Sequence, residues 1–342
     1  MRILVVTDAW KPQVNGVVRS LESVGRALRE IGTDIDFLTP QGFATVPLPT
    51  YDDIRLALAS PWAVAKRLDA AAADHIHIAT EGPLGLAARR YCLRTKRVFT
   101  TSYHTRFPEY ITARTRIPEE ITYALLRRFH NAGYGIMVST KSIADDLKSH
   151  GFQRLMRWSR GVDNSQFNPS KAKMLDLPRP IFLYAGRLAP EKNLEAFLSL
   201  DLPGSKLIAG DGPSRRALQA SYPQAHFIGM QDPDALAVYY ASSDVFVFPS
   251  LTDTFGIVLI EALACGLPVA ALPVPGPLDV IGTSGAGVLD TDQRAACLAA
   301  LEIPREEARA HALTFTWANS ARQFLDNVNF ARSAAEHRPD AA

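Results

Sequence analysis

The sequence predicts an α/β protein of two domains, each a parallel sheet covered by helices on both faces, with a cleft between them. Three observations carry this. At 342 residues the chain is long enough for two cores of ordinary size. Short apolar runs of strand length alternate with segments of helical apolar period, and glycine-bearing turns separate them. The pattern then starts afresh at Ile181, after a polar, Pro-containing stretch from Ser170 to Pro180 that reads as a linker. The expected domains are 1–170 and 171–313, followed by a closing helix and tail over 314–342.

In order, Arg2-Ile-Leu-Val-Val-Thr reads as a buried strand, the loop from Asp8 to Gly16 follows, and Val17, Leu21, Val24 and Leu28 keep helical spacing up to Gly32. Strand, glycine-bearing loop and helix open a Rossmann-like domain. The loop lacks G-x-G-x-x-G, which argues against a nicotinamide cofactor. Strands are expected at Ile35-Asp-Phe-Leu, near Ile54-Arg-Leu-Ala-Leu and at His75-Ile-His-Ile-Ala, with a helix from Pro61 to Ala72. His75 and His77 alternate with Ile and read as packed strand residues. Glu81 follows that strand's carboxyl end and is either a cap on the next helix or a cleft residue. Arg97-Val-Phe-Thr-Thr-Ser-Tyr is another strand, ending at His104, and Lys141 to His150 is a helix that completes the domain. Phe315 to Phe330 carries Trp317, Phe324, Leu325 and Val328 at helical spacing, the closing helix.

Two features of the second half suit an anionic ligand, the loop after Ile181-Phe-Leu-Tyr-Ala and the helix that opens at Gly256, and a glycine turn lies between them. Ile181-Phe-Leu-Tyr-Ala runs into Gly186-Arg-Leu-Ala-Pro-Glu-Lys-Asn, a strand-to-helix loop from which Arg187 and Lys192 either clamp a diphosphate or, as an isolated pair, stand as solvated surface charges. The strand Lys206-Leu-Ile-Ala ends in Gly210-Asp-Gly212, a glycine turn. Asp244-Val-Phe-Val-Phe leads through Asp253 to Thr254-Phe255-Gly256, where a helix opens whose apolar face includes Ile257, Leu259, Ile260 and Leu263. Its first backbone N–H groups have no partner inside the helix and suit a phosphate. Asp253 is either a cap or a ligand group, and Glu261, taken alone, reads as a solvated helix residue. Glu261, eight residues on, sits between Ile260 and Ala262, where a carboxylate needs a hydrogen-bonding partner such as paired ribose hydroxyls. Asp290-Thr-Asp292 lies on an apparent turn and reads as a helix cap, not a metal site.

Taken together, Ser-Tyr-His104-Thr-Arg-Phe, Arg160-Gly-Val-Asp163, Gly186-Arg187 to Lys192-Asn and Asp253-x7-Glu261 resemble, in that order, glycosyltransferase family 4 and its glycolipid-making branch. The family's fold is GT-B, two Rossmann-like domains facing a cleft. The resemblance spans Met1 to about Phe330 and implies a retaining transfer of a hexosyl unit from a nucleoside diphosphate sugar. It implies that Arg187 and Lys192 steady the departing diphosphate, with Gly186, Gly210, Gly212, Phe255, Gly256 and Ile257 around the nucleotide and Glu261 on its ribose. It further implies that Gly16 lets the backbone approach the donor and that His104 and Asp253 reach its sugar, although Asp stands where the family usually has Glu. No metal and no cofactor beyond the nucleotide-sugar substrate is expected. A nucleotide-sugar 2-epimerase of the same fold and a non-catalytic sugar-nucleotide-binding protein are the alternatives.

Charge and composition bear on partners. The first 170 residues carry 23 Lys and Arg against 16 Asp and Glu, the remainder 14 against 19. Arg106, Arg114, Arg116, Arg127 and Arg128 are interleaved with Phe107, Tyr110, Ile111, Leu125, Leu126 and Phe129, a pattern of a membrane interface or of the solvated side of a packed helix. With Glu81, the arginines Arg114, Arg116, Arg127 and Arg128 are the candidates for the acceptor and membrane side, facing an anionic leaflet and a lipid such as diacylglycerol. Nucleic acid is not expected as a partner. No stretch reaches the roughly 20 apolar residues of a membrane span, and the opening apolar run is too short for a signal peptide, so a cytoplasmic, peripherally bound protein is expected. Three cysteines, odd in number and without ligand spacing, argue against disulfides and structural zinc.

Overall fold

The computed structural model describes residues 1–13, 15–48, 51–112 and 117–337. The chain forms two compact units, Met1–Ser159 joined by the segment from Trp317 onward, and Arg160–Thr316.

The first unit runs β1 (Arg2–Val6), α1 (Gly16–Glu30), β2 (Asp34–Leu38), β3 (Thr45–Leu48), β4 (Tyr51–Ala57), α2 (Pro61–Ala70), β5 (His75–Ile78), α3 (Pro83–Arg94), β6 (Phe99–Tyr103), α4 (Phe107–Thr112), α5 (Glu119–His130), β7 (Ile136–Val138), α6 (Lys141–Ser149) and β8 (Leu155–Arg157). Six of these strands make a parallel sheet in the order β2-β1-β5-β6-β7-β8. Side chains alternate across it, and both faces are buried, as in parallel sheets covered by helices. Leu4 and Val6 pack with Ile76, Ile78 and Leu84, while Ile3 and Val5 pack with Leu21, Val24 and Leu28. The expectation of a further parallel strand near Ile54 is corrected. β4 pairs antiparallel with β3 in a separate two-stranded ribbon, a pairing between near neighbours in sequence that needs no crossover helix.

The second unit repeats the plan with β9 (Ile181–Ala185), α7 (Leu194–Leu198), β10 (Ser205–Ala209), α8 (Arg215–Ser221), β11 (His226–Gly229), α9 (Pro233–Ser242), β12 (Val245–Phe248), α10 (Ile257–Ala264), β13 (Val269–Ala271), α11 (Pro275–Val280), β14 (Gly287–Leu289), α12 (Gln293–Ala300) and α13 (Arg305–Ala312). Its parallel order is β11-β10-β9-β12-β13-β14. Phe182, Tyr184 and Ile208 face one core, and Ile181, Leu183 and Phe246 face the other. The stretch read as a linker lies within this unit, where Lys173 N donates to Ser242 Oγ at 2.9 Å and Phe167 and Val162 join the core. The chain then returns to the first unit as α14 (Trp317–Glu336), whose Phe324 and Val328 pack beside α1.

Each sheet has one point where strand order reverses, between β1 and β5 in the first and between β9 and β12 in the second. Open parallel sheets bind ligands outside the carboxyl ends of the strands at such a point.

Candidate active site

In the second unit the loops after β9 and β12 carry the predicted residues to the reversal. Gly186 and half-buried Arg187 leave β9; a short 3-10 turn, Pro190–Lys192, ends at Asn193, which adopts left-handed backbone (φ 52°) and donates from Nδ2 to Pro249 O at 3.3 Å. Asn tolerates that conformation, and its amide ties one loop to the other. Gly210 follows β10 with φ 140°, and a Cβ there would stand 1.9 Å from Gly186 O, so only glycine lets the two backbones meet.

After β12, Gly256 is the N-cap of α10 with φ 79°, and no side chain caps that helix end. Asp253 is therefore not its cap. Instead Lys192 Nζ donates to both Asp253 oxygens, at 2.7 and 2.8 Å. From Leu259 to Ala264 α10 is buried all round, as its apolar sequence dictates. Glu261 is 1% exposed, and Tyr240 OH donates to its Oε2 at 3.4 Å. A solvated-surface reading of Glu261 is thereby ruled out. Phe255 is buried, whereas Gly256 and Ile257 are half-buried at the helix mouth. Gly212 continues the β10 turn, where a Cβ would lie 2.3 Å from Leu188 O.

Sequence reasoning missed several neighbours. Asn193 and Tyr240 are two; the others are the hydroxyls of Ser250 and Thr252, both buried and without a hydrogen-bond partner in the protein, beside Asp253. Burying such groups unpaired costs free energy unless a ligand completes them. Their side chains carry no periodic signal that could have marked them. Arg160 is buried, and burial pushes its pKa down to about 9, while Asp163 Oδ1 accepts from Ser165 N and Gln166 N as a turn cap. Asp290 and Asp292 serve as caps, Asp292 Oδ1 accepting from Arg294 N and Ala295 N at 3.0 Å.

The reversal in the first unit is built differently. Gly16 is the first residue of α1, and its neighbour Asn15 caps the helix by accepting from Val17 N and Val18 N. Asp8, after β1, accepts from Leu84 N at 2.9 Å, Gly85 N at 3.2 Å and Thr80 Oγ1 at 2.9 Å, and so caps α3 from another segment. Burial raises its pKa, those three hydrogen bonds oppose the rise, and Glu81 adds to it. Glu81 is accordingly not the α3 cap. Its Oε1 lies 3.0 Å from Nε2 of fully buried His130, whose Nδ1 meets Thr101 Oγ1 at 2.8 Å. His104 stands just past β6, half-buried, its ring edge-on to Trp158 at 5.7 Å.

Of the arginines expected on the membrane side, Arg127 and Arg128 are exposed on α5, and Arg127 also donates to His150 O at 2.8 Å. Arg114 and Arg116 lie outside the described residues. Beside Arg128 the exposed apolar residues Ile121 (53%) and Leu125 (64%) follow Ile117 (44%) at four-residue spacing. No described helix is long and apolar enough to cross a membrane.

Comparison with known proteins agrees with this geometry. The profile described as Glycosyltransferase Family 4 matches residues 14–166, and that described as Glycosyl transferases group 1 matches 167–301. A GDP-mannose-dependent alpha-mannosyltransferase of Mycobacterium tuberculosis is 32% identical over 84% of this chain and 83% of its own. The sulfoquinovosyl transferase SQD2 of Arabidopsis thaliana is 30% identical over 78% of this chain and 58% of its own. An alpha-monoglucosyldiacylglycerol synthase of Streptococcus pneumoniae is 26% identical over 79% and 71%. In fold, a sucrose-phosphate synthase of Thermosynechococcus elongatus superposes with a TM-score of 0.77 at 20% identity, over 97% of this chain and 99% of that one. With two doubly wound parallel sheets and a one-third identity that spans most of both chains, the protein belongs to glycosyltransferase family 4, as an enzyme of GT-B fold that uses nucleotide sugars.

Proposed function

We propose that this enzyme is a retaining hexosyltransferase that moves a hexosyl unit from a uridine or guanosine diphosphate sugar to the hydroxyl of a membrane lipid such as diacylglycerol. The observation that carries the donor half is the convergence of Arg187, Lys192 and the side-chain-free N-terminus of α10 at one strand-order reversal. As the bond from anomeric carbon to phosphate breaks, negative charge grows on the diphosphate, and fixed cations and backbone N–H groups stabilise it. These groups belong to the protein, so transfer is expected to persist in chelator. Glu261, buried in α10, would accept from ribose hydroxyls, a contact worth about 1.5–3 kcal/mol.

The acceptor half rests on the exposed row Ile117, Ile121 and Leu125 with Arg128 beside it, and on the similarity to an alpha-monoglucosyldiacylglycerol synthase. Apolar side chains in such a row gain by entering the acyl boundary, and each cation near an anionic leaflet adds about 1 kcal/mol. Glu119 and Glu120 occupy the first turn of α5, where the helix dipole suits them, and the basic residues occupy the last. The test is sedimentation with phosphatidylglycerol-containing vesicles at low and high salt, together with transfer to dispersed diacylglycerol from a panel of uridine and guanosine diphosphate sugars. Parent protein is expected to sediment with anionic vesicles, and Ile121→Ser with Leu125→Ser and Arg128→Ser is expected to release it. Equal sedimentation of the triple variant would remove this face as the membrane contact.

A further inference from the structure

One buried hydroxyl in the second unit holds the backbone of the loop after β9. Tyr184 lies in β9, 1% exposed, and its ring sits in the core with Leu188, Leu194 and Ile208. A buried phenol needs a partner for its O–H. It finds one three residues on, donating to Arg187 O at 2.9 Å. Gly186 leaves the way open, since a Cβ there would lie 2.8 Å from that hydroxyl. The loop is held elsewhere by backbone: Gly186 N donates to Ala209 O at 3.0 Å, Leu188 N to Asp211 O at 2.9 Å, and Ser214 N to Leu188 O at 2.9 Å. Arg187 O and Leu188 N belong to one planar peptide and point to opposite sides of the chain. With Tyr184 at the first and Asp211 O at the second, that plane cannot tilt without breaking a hydrogen bond. A guanidinium on a long, many-rotamer stem is aimed first by the direction of its Cα–Cβ bond, which this backbone sets.

We propose that Tyr184 is a positioning residue for the transfer, its hydroxyl fixing the backbone from which Arg187 reaches the donor diphosphate. This rests on the reading that the second unit binds the donor diphosphate at Arg187. Stabilising a departing anion depends on donors that are already in place when the charge develops. Tyr184 acts only through Arg187, so its hydroxyl should matter where that guanidinium is present and hardly at all where it is gone. A hydrogen bond that served stability alone would show no such dependence.

The experiment is a four-member cycle of parent, Tyr184→Phe, Arg187→Ala and the double variant. Phenylalanine keeps the ring in its core and removes only the hydroxyl, and circular dichroism checks that each member is folded. Turnover, kcat, is measured with whichever panel donor the parent consumes, and calorimetry with UDP and with GDP reads diphosphate affinity without it. Tyr184→Phe is expected to lower kcat by roughly ten-fold, inside the ~10²-fold that a misplacement of about 1 Å can cost. It should weaken UDP or GDP binding as well. In the Arg187→Ala background the same change should cost less than about two-fold further in either readout, because residues that act through one another do not add. Parental kcat in folded Tyr184→Phe while Arg187→Ala is impaired, or a loss by the same factor in both backgrounds, would overturn the proposal and leave the donor reading standing. Parental kcat and parental nucleotide affinity in Arg187→Ala would overturn the donor reading at this residue and the proposal with it.

Discussion

Two helices hold the same topological place in the two units and end differently. α3 follows β5, and α10 follows β12; each strand stands beside a reversal of strand order. At α3 the first N–H groups are taken by Asp8, a carboxylate of the chain's own, and Gly82 packs so closely that a Cβ there would lie 2.4 Å from the Asp8 Cγ. At α10 the cap is a glycine, no side chain closes the end, and two basic residues approach from the neighbouring loop. One helix end has been given its anion by the sequence. No side chain closes the other, where on the proposed function the donor diphosphate would supply it. Similar backbones therefore do unlike work, and what separates them is which side chain reaches the first turn.

The largest effect should appear where the ligand supplies the charge. Arg187→Ala removes a cation from the loop after β9 and is expected to lower kcat by ~10²–10³, the loss seen when one transition-state donor is deleted. Steady-state transfer from a panel donor measures it. A variant turning over at the parent rate would break the contrast, because the α10 side would then be no more electrostatic in function than the α3 side.

The second effect belongs to Glu261, which is buried in α10 and touched by Tyr240 OH. Glu261→Gln keeps shape and one acceptor but loses the charge-assisted bond, so nucleoside diphosphate affinity should fall by the equivalent of about 1.5–3 kcal/mol. Calorimetry with UDP or GDP checks this, and a matching loss for the corresponding 2′,3′-dideoxy nucleotide would show that the ribose is not the partner.

How far the sequence reached follows from what periodicity and motifs can report. Alternation in Ile3 to Val6 and the apolar face of α10 gave strand, helix and burial, because faces are local properties. Motif order placed Arg187, Lys192, Asp253 and Glu261 in one unit, and the geometry sets them around one reversal. Partners were not legible. Lys192 and Asp253 are 61 residues apart, and Asp8 caps a helix that begins 75 residues later; no spacing rule connects such pairs. The β3–β4 ribbon was missed for a related reason, since an isolated apolar run has no signal for whether its neighbour is parallel or antiparallel. Glu81 illustrates the limit well. A carboxylate just before a helix reads as a cap or as a cleft residue, and spacing does not decide between them; Asp8 already holds the cap and Glu81 turns to His130.

The smallest effect is expected in the first unit, and in stability. His75 lies on β5, buried at 1%, with Nε2 2.9 Å from Thr100 Oγ1 and Nδ1 without a partner in the protein. Burial, helped by the nearby charge of Arg332, pushes its pKa down to about 3 from the ordinary 6.5. A depressed base binds its proton later in the folded state than in the unfolded one. Stability is then complete above about pH 6.5 and is lost as the pH falls toward 3, at about 1.4 kcal/mol per unit, or about 2 kcal/mol at pH 5. All four tryptophans, Trp10, Trp62, Trp158 and Trp317, lie in this unit, so indole fluorescence in urea reports its unfolding separately from the second. His75→Asn keeps a polar side chain toward Thr100 and removes the titration. The variant should lose less stability between pH 7 and pH 5 than the parent does; an identical loss would mean that the acid sensitivity of this unit arises elsewhere.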